Sequence, residues 1–136
     1  MEGKRQMSFK AVSSTSVFRS AAPYSLAALT EGSRILHISG QISQDAQGRT
    51  HGVGDIAAQT EKVIDNIEAL LQEVGGSLKD VCKVVIFLTS RDHLPTVMEV
   101  RRRRFKEPFP ATSAVIVAGL ANAEWLIEIE ATAVLS

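Results

Sequence analysis

The pattern of apolar and polar positions is clearest between Asp55 and Gly76. Seven apolar residues in this segment recur at helical spacing and therefore mark one face of a helix. They are Ile56, Val63, Ile64, Ile67, Leu70, Leu71 and Val74. Asp55 is a residue type that caps helix N-termini, and Gly75 and Gly76 supply the left-handed conformation in which many helices end. The pattern predicts one long helix from about Asp55 to the glycine pair.

Four other segments have the composition of strands. Arg34–Gly40 ends at a glycine, and Val81–Leu88 is nearly continuous in apolar residues, which predicts a central strand covered on both faces. Trp125–Leu135 alternates between apolar and other residues, so one of its faces is apolar and the other carries two glutamates. A shorter strand is expected at Ala114–Val117, and the segment Gln44–Gly54 between the first strand and the long helix is expected to be a loop.

A second helix is expected from about Asp92 to Phe105 or Lys106, because two prolines follow and Pro95 is tolerated in a first turn. Its buried stripe is predicted to consist of Leu94, Val97, Met98 and Phe105. Arg101 falls on the same stripe, within the run Arg101–Arg104. An arginine that faces inward needs an anion or a carboxylate as partner.

These elements predict a single α+β domain that spans residues 1–136, with two helices on one face of a mixed sheet of about six strands. Residues 1–10 are expected to be a flexible leader. The other face of the sheet would stay uncovered, because so short a chain has no further element to place over it. We therefore expect a closed homo-oligomer whose inter-subunit clefts are natural ligand sites.

Composition and charge restrict the partners of the chain. Lysine and arginine together number 15 and balance 15 aspartates and glutamates, so neither nucleic acid nor an anionic membrane is expected to bind. No apolar stretch approaches the roughly 20 residues of a membrane span. The one cysteine, Cys82, excludes an intrachain disulfide, is expected to be a buried hydrophobe, and suits the reducing cytoplasm.

Motifs for metal or cofactor chemistry are absent from the sequence. His37, His51 and His93 are scattered over a strand, a loop and a helix start, and no pair has the spacing of metal ligands. Glycine-rich phosphate loops and serine or cysteine triad signatures do not occur either. We expect neither a metal nor a cofactor.

Seven short segments follow one another in a characteristic order from Pro23 onward. They are Ala22-Pro23-Tyr24, Ser39-Gly40-Gln41-Ile42, Asp55–Thr60, Asp65-Asn66-Ile67, Val84–Leu88, Phe109–Val115 and Ile127–Ala131. No single segment is specific, but their order and spacing together resemble the RidA/YjgF/L-PSP family, over nearly the whole chain from Pro23. The resemblance implies a homotrimer of chorismate-mutase-like subunits, with inward-facing sheets and a small-molecule cleft between each pair of neighbours.

The resemblance also implies an activity and a set of residues. Family members similar to RidA hydrolyse reactive enamines and imines, such as 2-aminoacrylate, to keto acids and ammonia. By the same resemblance, Glu128 would position the attacking water, and Tyr24, Ser39 and Gly40 would shape the pocket. Two simpler interpretations stay open: Glu128 lies on a solvated strand face, and Tyr24 is an ordinary interface residue.

One position departs from the family pattern. The motif Pro-Ala-Arg-Ser reads Pro110–Ser113 in this chain, so Thr112 replaces the arginine that holds the substrate carboxylate, and the frequent cysteine two residues later is Ala114. Threonine offers one neutral hydrogen bond in place of a charged bidentate pair. Our hypothesis is that Arg101 takes over anion binding from the missing arginine, or pairs with a glutamate such as Glu128.

Three functions are compatible with the sequence. The first is a RidA-like deaminase or related hydrolase, which the retained Glu128 favours. The second is a non-catalytic trimer that binds a small, carboxylate-bearing metabolite, which Thr112 favours. The third is a ribonuclease of the translation-inhibitor type; the arginine run at 101–104 is its local support, and the neutral net charge argues against it.

Overall fold

Two helices and six strands are present in the computed structural model, which describes residues 9–16, 18 and 21–135. The strands are β1 (Phe9–Val12), β2 (Ala27–Thr30), β3 (Arg34–Ile42), β4 (Val81–Leu88), β5 (Ala111–Ile116) and β6 (Ile127–Leu135). The helices are α1 (Ile56–Gln72) and α2 (Leu94–Arg104). The predicted α+β architecture is confirmed. The six strands, however, form a four-stranded sheet of order β3-β6-β4-β5 and a separate β1-β2 pair.

Both helices pack on one face of the four-stranded sheet. In this sheet β6 is antiparallel to β3 and β4, whereas β5 runs parallel to β4. The core between helices and sheet is apolar, and its fully buried members include Val63, Ile64, Ile67, Leu71, Ile86, Leu88, Val97 and Ile127. Each such aliphatic side chain contributes about 1.5–3 kcal/mol through burial, so this layer fixes where the strands lie.

The long helix begins and ends for the predicted reasons. The Asp55 side chain accepts a hydrogen bond of 3.0 Å from the backbone N–H of Ala58, which caps the N-terminus. After Gln72 a turn leads to Gly75, whose φ of +77° lies in the left-handed region that favours glycine. Among the described residues, no helix combines the length and apolar character required to cross a bilayer.

The face of the sheet opposite the helices is largely uncovered in the subunit. On this face β4 presents Lys83, which is exposed, and Val85 and Phe87, which are half-buried. The expectation that β4 is covered on both faces is therefore wrong for the single chain. β6 adds Glu128 and Glu130 to the same face, because residues at alternate positions share a side of the sheet.

The β1-β2 pair covers one end of the open face. Phe9 packs with Cys82 and Val134 in a small buried cluster, so Cys82 is a buried thiol as predicted. Burial raises the pKa of this thiol above its ordinary value, which keeps it protonated and unreactive. The predicted leader, residues 1–10, overlaps this strand, since Phe9 and Lys10 already belong to β1; residues 1–8 lie outside the described part of the chain.

β3 continues to Ile42 instead of ending at Gly40, and two strands begin at residues other than the predicted ones. β5 begins at Ala111 rather than Ala114, because its first residues pair with Lys83 and its neighbours in β4. β6 begins at Ile127 rather than Trp125, since the preceding segment is held by side chains of other elements instead of by a partner strand. Local propensity does not reveal either effect, because both depend on contacts between distant parts of the chain.

An ionic cluster joins the exposed sides of α1 and α2. Arg104 reaches Glu61 at 2.6 Å, Asp65 at 3.0 Å and Glu68 at 3.4 Å, and Arg103 reaches Glu61 at 3.0 Å. Burial alone would raise the pKa of the Glu61 carboxyl, but hydrogen bonds from Arg104 and Arg103 outweigh it and lower that pKa below its ordinary value. The cluster therefore stabilises the fold while Glu61 is ionised.

Replacement of Arg104 by methionine is expected to lower the free energy of unfolding by about 1–2 kcal/mol at pH 7, since one guanidinium serves three partly shielded carboxylates. Because the folded-state pKa of Glu61 is depressed, this stabilisation is present above the unfolded-state pKa and is lost as pH falls through the folded-state value. Urea denaturation at pH 7 and pH 3 measures both effects. An equal destabilisation at the two pH values, or the same loss in the exposed Arg102→Met control, would contradict the assignment.

Candidate functional site

Three of the predicted site residues come together on the open face of the sheet. The register between β3 and β6 shifts between Ile38 and Gln41, so Ser39 and Gly40 lie in an irregular part of β3. The Glu128 side chain lies directly against Gly40, where a Cβ atom would overlap the Glu128 carboxylate. Ser39 is exposed, whereas Gly40 and Glu128 are half-buried. Close approach of the carboxylate to the backbone thus requires glycine at position 40.

The surroundings of the Glu128 carboxylate allow it to orient and deprotonate a water molecule. Glu128 is partly exposed, so solvent reaches it, and its cross-strand neighbour Phe87 provides an apolar wall on the same face. A carboxylate accepts hydrogen bonds only, and it can therefore orient a water molecule and take its proton. Glu130, two residues further along β6, is exposed and more open to bulk solvent.

Tyr24 belongs to a different place, beside the start of β5. The next residue, Ser25, donates its backbone N–H to the Pro110 carbonyl at 3.1 Å, donates its hydroxyl to the Phe109 carbonyl, and bridges Ala111. These contacts hold Tyr24 against the chain that precedes β5. A cavity of about 330 Å³ opens there, lined by Ala11, Tyr24, Ser25, Glu107, Pro108 and Phe109. Sequence reasoning identified Tyr24 but missed Ser25, although a serine that directly follows a predicted pocket residue was a usable signal.

The Thr112 hydroxyl forms two hydrogen bonds within the chain. It accepts one of 2.8 Å from Nη2 of Arg101 and donates one of 3.0 Å to the Pro110 carbonyl. Because a hydroxyl has a single proton to donate, an anionic ligand can use Thr112 only if the bond to Pro110 breaks. Cross-strand neighbours of Thr112 are Val84 and, one strand further, Ala131, both of which lie in the core beneath the helices.

Arg101 points inward, as its helical phase predicts. The residue is 1% exposed, and its Nη1 lies 3.8 Å from the Met98 sulfur. Burial lowers the pKa of its guanidinium to about 10, which leaves it charged at neutral pH. Within one subunit Arg101 does not pair with Glu128, because Arg101 contacts Thr112 on the helix side of the sheet whereas Glu128 occupies the opposite side.

The site residues thus fall into two groups, which we call the water half (Ser39, Gly40 and Glu128) and the pocket half (Tyr24, Thr112 and Arg101). Thr112 is in β5, and β4 separates this strand from β6. Along the strands Thr112 is level with Ala131, which follows Glu128 by three residues in β6. Strand spacing and rise place the Cα atoms of Thr112 and Glu128 about 14 Å apart. A small metabolite cannot contact both halves within one subunit. Only a neighbouring subunit could bring them together.

Gln59 is a structural residue of the site that sequence reasoning missed. Its Nε2 donates to the carbonyls of Gly52 at 3.1 Å and Glu124 at 2.9 Å, and its Oε1 accepts from the Leu126 N–H at 2.9 Å. Gln59 is fully buried. Its hydrogen bonds to Glu124 and Leu126 fix the position of the segment that leads into β6, and Leu126 is two residues before Glu128. The signal was a polar residue on the buried stripe of α1, four positions before Val63.

The three histidines lie apart in the fold. His37 is in β3, His51 is in the loop before α1, and His93 ends the short turn before α2. Within the part of the chain that the structure describes, no three His, Cys, Asp or Glu residues form a group that could hold a metal ion.

The chain is similar to known proteins both in sequence and in structure. The Endoribonuclease L-PSP family model matches residues 14–135. The chain is 39% identical over 112 residues to the 3-aminoacrylate deaminase RutC of Acinetobacter baylyi, covering 82% of this chain and 86% of that protein. It is 34% identical over 112 residues to the 2-iminobutanoate/2-iminopropanoate deaminase of Homo sapiens, covering 82% and 80%. Among solved structures, YyfB of Yersinia pestis, a Rid-family protein of unknown function, superposes with a TM-score of 0.87 at 30% identity over 95% of this chain and 100% of that chain.

Proposed function

Because this chain belongs to the Endoribonuclease L-PSP family, we propose that it is a RidA-like hydrolase that deaminates small enamines or imines in a cleft between two subunits. Two similar proteins are named as deaminases of 3-aminoacrylate and of 2-iminobutanoate or 2-iminopropanoate. The observation that carries the proposal is the Glu128 carboxylate held against Gly40 on the open face. We also propose a cytoplasmic location, which the lone buried thiol of Cys82 supports.

The proposed reaction adds water across a carbon–nitrogen double bond. An enamine first tautomerises to its imine, and a water oxygen then attacks the imine carbon while Glu128 takes a proton from that water. Glu128 returns this proton to the nitrogen, which completes the carbinolamine. Glu128 then carries the remaining hydroxyl proton to the amine nitrogen, the carbon–nitrogen bond breaks, and ammonia leaves as the carbonyl forms. One water is consumed for each keto acid and ammonia produced, and no redox partner is needed.

A site assembled from two subunits follows from the separation of the two halves. The water half and the pocket half are about 14 Å apart in one chain, and that distance exceeds the reach of a three- or four-carbon substrate. The open sheet face, with Phe87 and Val115 partly exposed on it, would be covered by self-association. We propose that a closed trimer places the water half of one subunit next to the pocket half of its neighbour.

A non-catalytic binding protein is the second candidate, and one observation favours it. The Thr112 hydroxyl, at the position where the resemblance implies an arginine, already bonds Arg101 and Pro110. A protein of this kind would retain ligands in the cleft without releasing ammonia from them. The ribonuclease alternative would instead show cleavage of RNA that weakens steeply with added salt.

Ammonia release from freshly generated 2-aminoacrylate, and from imines generated from a panel of amino acids, tests the proposal. We expect the wild-type protein to accelerate ammonia release over buffer in proportion to its concentration. No acceleration with any of these substrates would overturn the deaminase proposal in favour of the binding protein. RNA cleavage without ammonia release would overturn it in favour of the ribonuclease.

Substitution of Gly40 by alanine is expected to lower kcat/KM about 10–100-fold, because the added methyl group forces the Glu128 carboxylate away from its position. Stability should change little, since Glu128 is a partly exposed side chain that can turn outward. Gly119→Ala is the matched control, because a Cβ there meets nothing within 4 Å. Equal activities for the two variants would show that the close approach of Glu128 to Gly40 has no part in the reaction.

A further inference from the structure

The cavity beside Tyr24 has one charged side chain in its lining, and that side chain is acidic. Of the described residues that line the cavity, the charged one is Glu107. The neutral ones are Ala11, Tyr24, Ser25, Pro108 and Phe109. Glu107 is exposed, and no cation among the described residues forms an ion pair with it. A volume of about 330 Å³ therefore gives a small ligand the space to bring a counter-ion to this carboxylate.

The neighbouring cations of the chain lie elsewhere. Lys106 directly precedes Glu107 but lines a different cavity. Arg101 is enclosed on the helix side of the sheet, and Arg102 donates to a backbone carbonyl at 3.4 Å. Lys83 lies on the open face of the sheet. Because none of these four side chains lines the cavity, the charge that a ligand meets there is that of Glu107, which attracts cations and repels carboxylates.

Two of the lining residues offer a ligand no hydrogen-bond donor. The Ser25 N–H donates to the Pro110 carbonyl at 3.1 Å, and the Ser25 hydroxyl gives its one proton to the Phe109 carbonyl. Pro108 has no N–H. The Ser25 oxygen can still accept a hydrogen bond, and so can the Glu107 carboxylate. This lining favours a ligand group that donates hydrogen bonds over one that accepts them.

Aromatic side chains form another part of the wall. Tyr24 and Phe109 are half-buried, and both line the cavity. The faces of aromatic rings attract organic cations, because the ring quadrupole places negative potential there. With Glu107 beside them, these rings suit an ammonium group on an alkyl chain, whose methylene groups would contact the rings and Pro108.

We propose that the cavity beside Tyr24 binds an alkylammonium group, so that the favoured substrates are imines or enamines that carry a protonated amine at their other end. This inference rests on the proposed function for its reaction and adds the part of the substrate that lies away from the carbon–nitrogen double bond. The ammonium nitrogen donates to the Glu107 carboxylate and to the Ser25 oxygen. Charge, hydrogen-bonding capacity and aromatic lining, which are three separate properties of the cavity, support the same ligand class.

Binding of a simple amine tests the assignment without turnover. Isothermal titration calorimetry would compare n-butylamine, which is an ammonium cation at pH 7, with 1-butanol, which has the same alkyl chain and no charge. For the wild type we expect the amine to bind about tenfold more tightly, because it alone pairs with a carboxylate and attracts the aromatic faces. Glu107→Gln should remove this preference. Glu99→Gln, which changes an exposed carboxylate of α2 that does not line the cavity, should retain it.

Rates of ammonia release test the substrate class. The imine generated from Nε-trimethyl-lysine keeps a permanent positive charge and cannot cyclise, and the imine generated from norleucine has an uncharged side chain. We expect the ratio of their kcat/KM values to favour the cationic imine in the wild type and to fall about tenfold in Glu107→Gln, whereas Glu99→Gln should keep the wild-type ratio. Glu107→Gln should melt at the wild-type temperature, because Glu107 is exposed and forms no ion pair among the described residues.

The outcomes separate this inference from the proposed function. Equal affinity of the wild type for amine and alcohol, or a preference that survives in Glu107→Gln, overturns the ammonium site whatever the enzyme does. A preference that depends on Glu107 in a protein that releases no ammonia supports the ammonium site and overturns the deaminase. A preference in binding that leaves the ratio of kcat/KM values unchanged in Glu107→Gln supports the site and overturns its role in selecting the substrate.

Discussion

Replacement of Glu128 by alanine is expected to lower kcat/KM for 2-aminoacrylate about 10²–10⁴-fold, the range typical for removal of a positioned general base. The carboxylate lies against Gly40 on the open sheet face, where it is partly exposed to water. Alanine leaves this place empty, so water is neither oriented nor deprotonated as it attacks. Because Glu128 forms no ion pair among the described residues, the variant should fold normally. Initial rates of ammonia release measure the effect.

Glu130→Ala is the matched control for this prediction. It removes the same side chain from the same strand and the same face, two residues away, where the carboxylate is exposed. We expect its kcat/KM to stay within about threefold of the wild type, as is usual for surface changes away from a site. If both variants lose activity equally, the effect is a general one of charge on this face, and Glu128 has no specific role.

Gln59→Ala is expected to lower the free energy of unfolding by about 3 kcal/mol, because three buried hydrogen bonds are lost and their backbone partners are left unsatisfied. The bonds connect α1 to Gly52 in the preceding loop and to the segment 124–126 that leads into β6. Urea denaturation followed by circular dichroism measures the change. Activity should fall as well, since the segment 124–126 sets the path of the chain to Glu128.

Gln72→Ala provides the comparison, because Gln72 is an exposed glutamine at the end of the same helix. We expect this variant to remain within about 0.5 kcal/mol of the wild type. A loss of stability that is similar in both variants would reflect the change of residue type in α1. In that case the three hydrogen bonds of Gln59 would not be what stabilises the segment 124–126 before β6.

Features carried by periodicity could be predicted from the sequence. The apolar stripe and the capping residues predicted the position of α1, and the alternation of residues in β6 predicted that Glu128 lies on the face opposite the core. The helical phase of α2 predicted that Arg101 faces inward, and the residue is buried. Each of these depends on residues close together in the chain, where local geometry determines which side chains share a face.

Features that depend on pairing between distant segments could not be predicted. β1 and β2 are four residues each and lack a distinctive pattern, so neither their pairing nor the cover of Phe9 over Cys82 was foreseen. The contact of Glu128 with Gly40 follows from an irregular register between β3 and β6 that no local signal reveals. The bond from Arg101 to Thr112 likewise joins a helix to an edge strand.

If the water half and the pocket half of the site come from different subunits, as proposed, a subunit-mixing experiment should restore activity to two inactive variants. Glu128→Ala and Tyr24→Ala, each expected to be nearly inactive alone, would be unfolded together in equal amounts and refolded. Random assembly into trimers should restore about one quarter of the wild-type rate of ammonia release, because that share of the clefts combines two intact halves. A mixture that stays as inactive as its components, alongside an active wild type refolded in the same way, would contradict a site shared between two subunits.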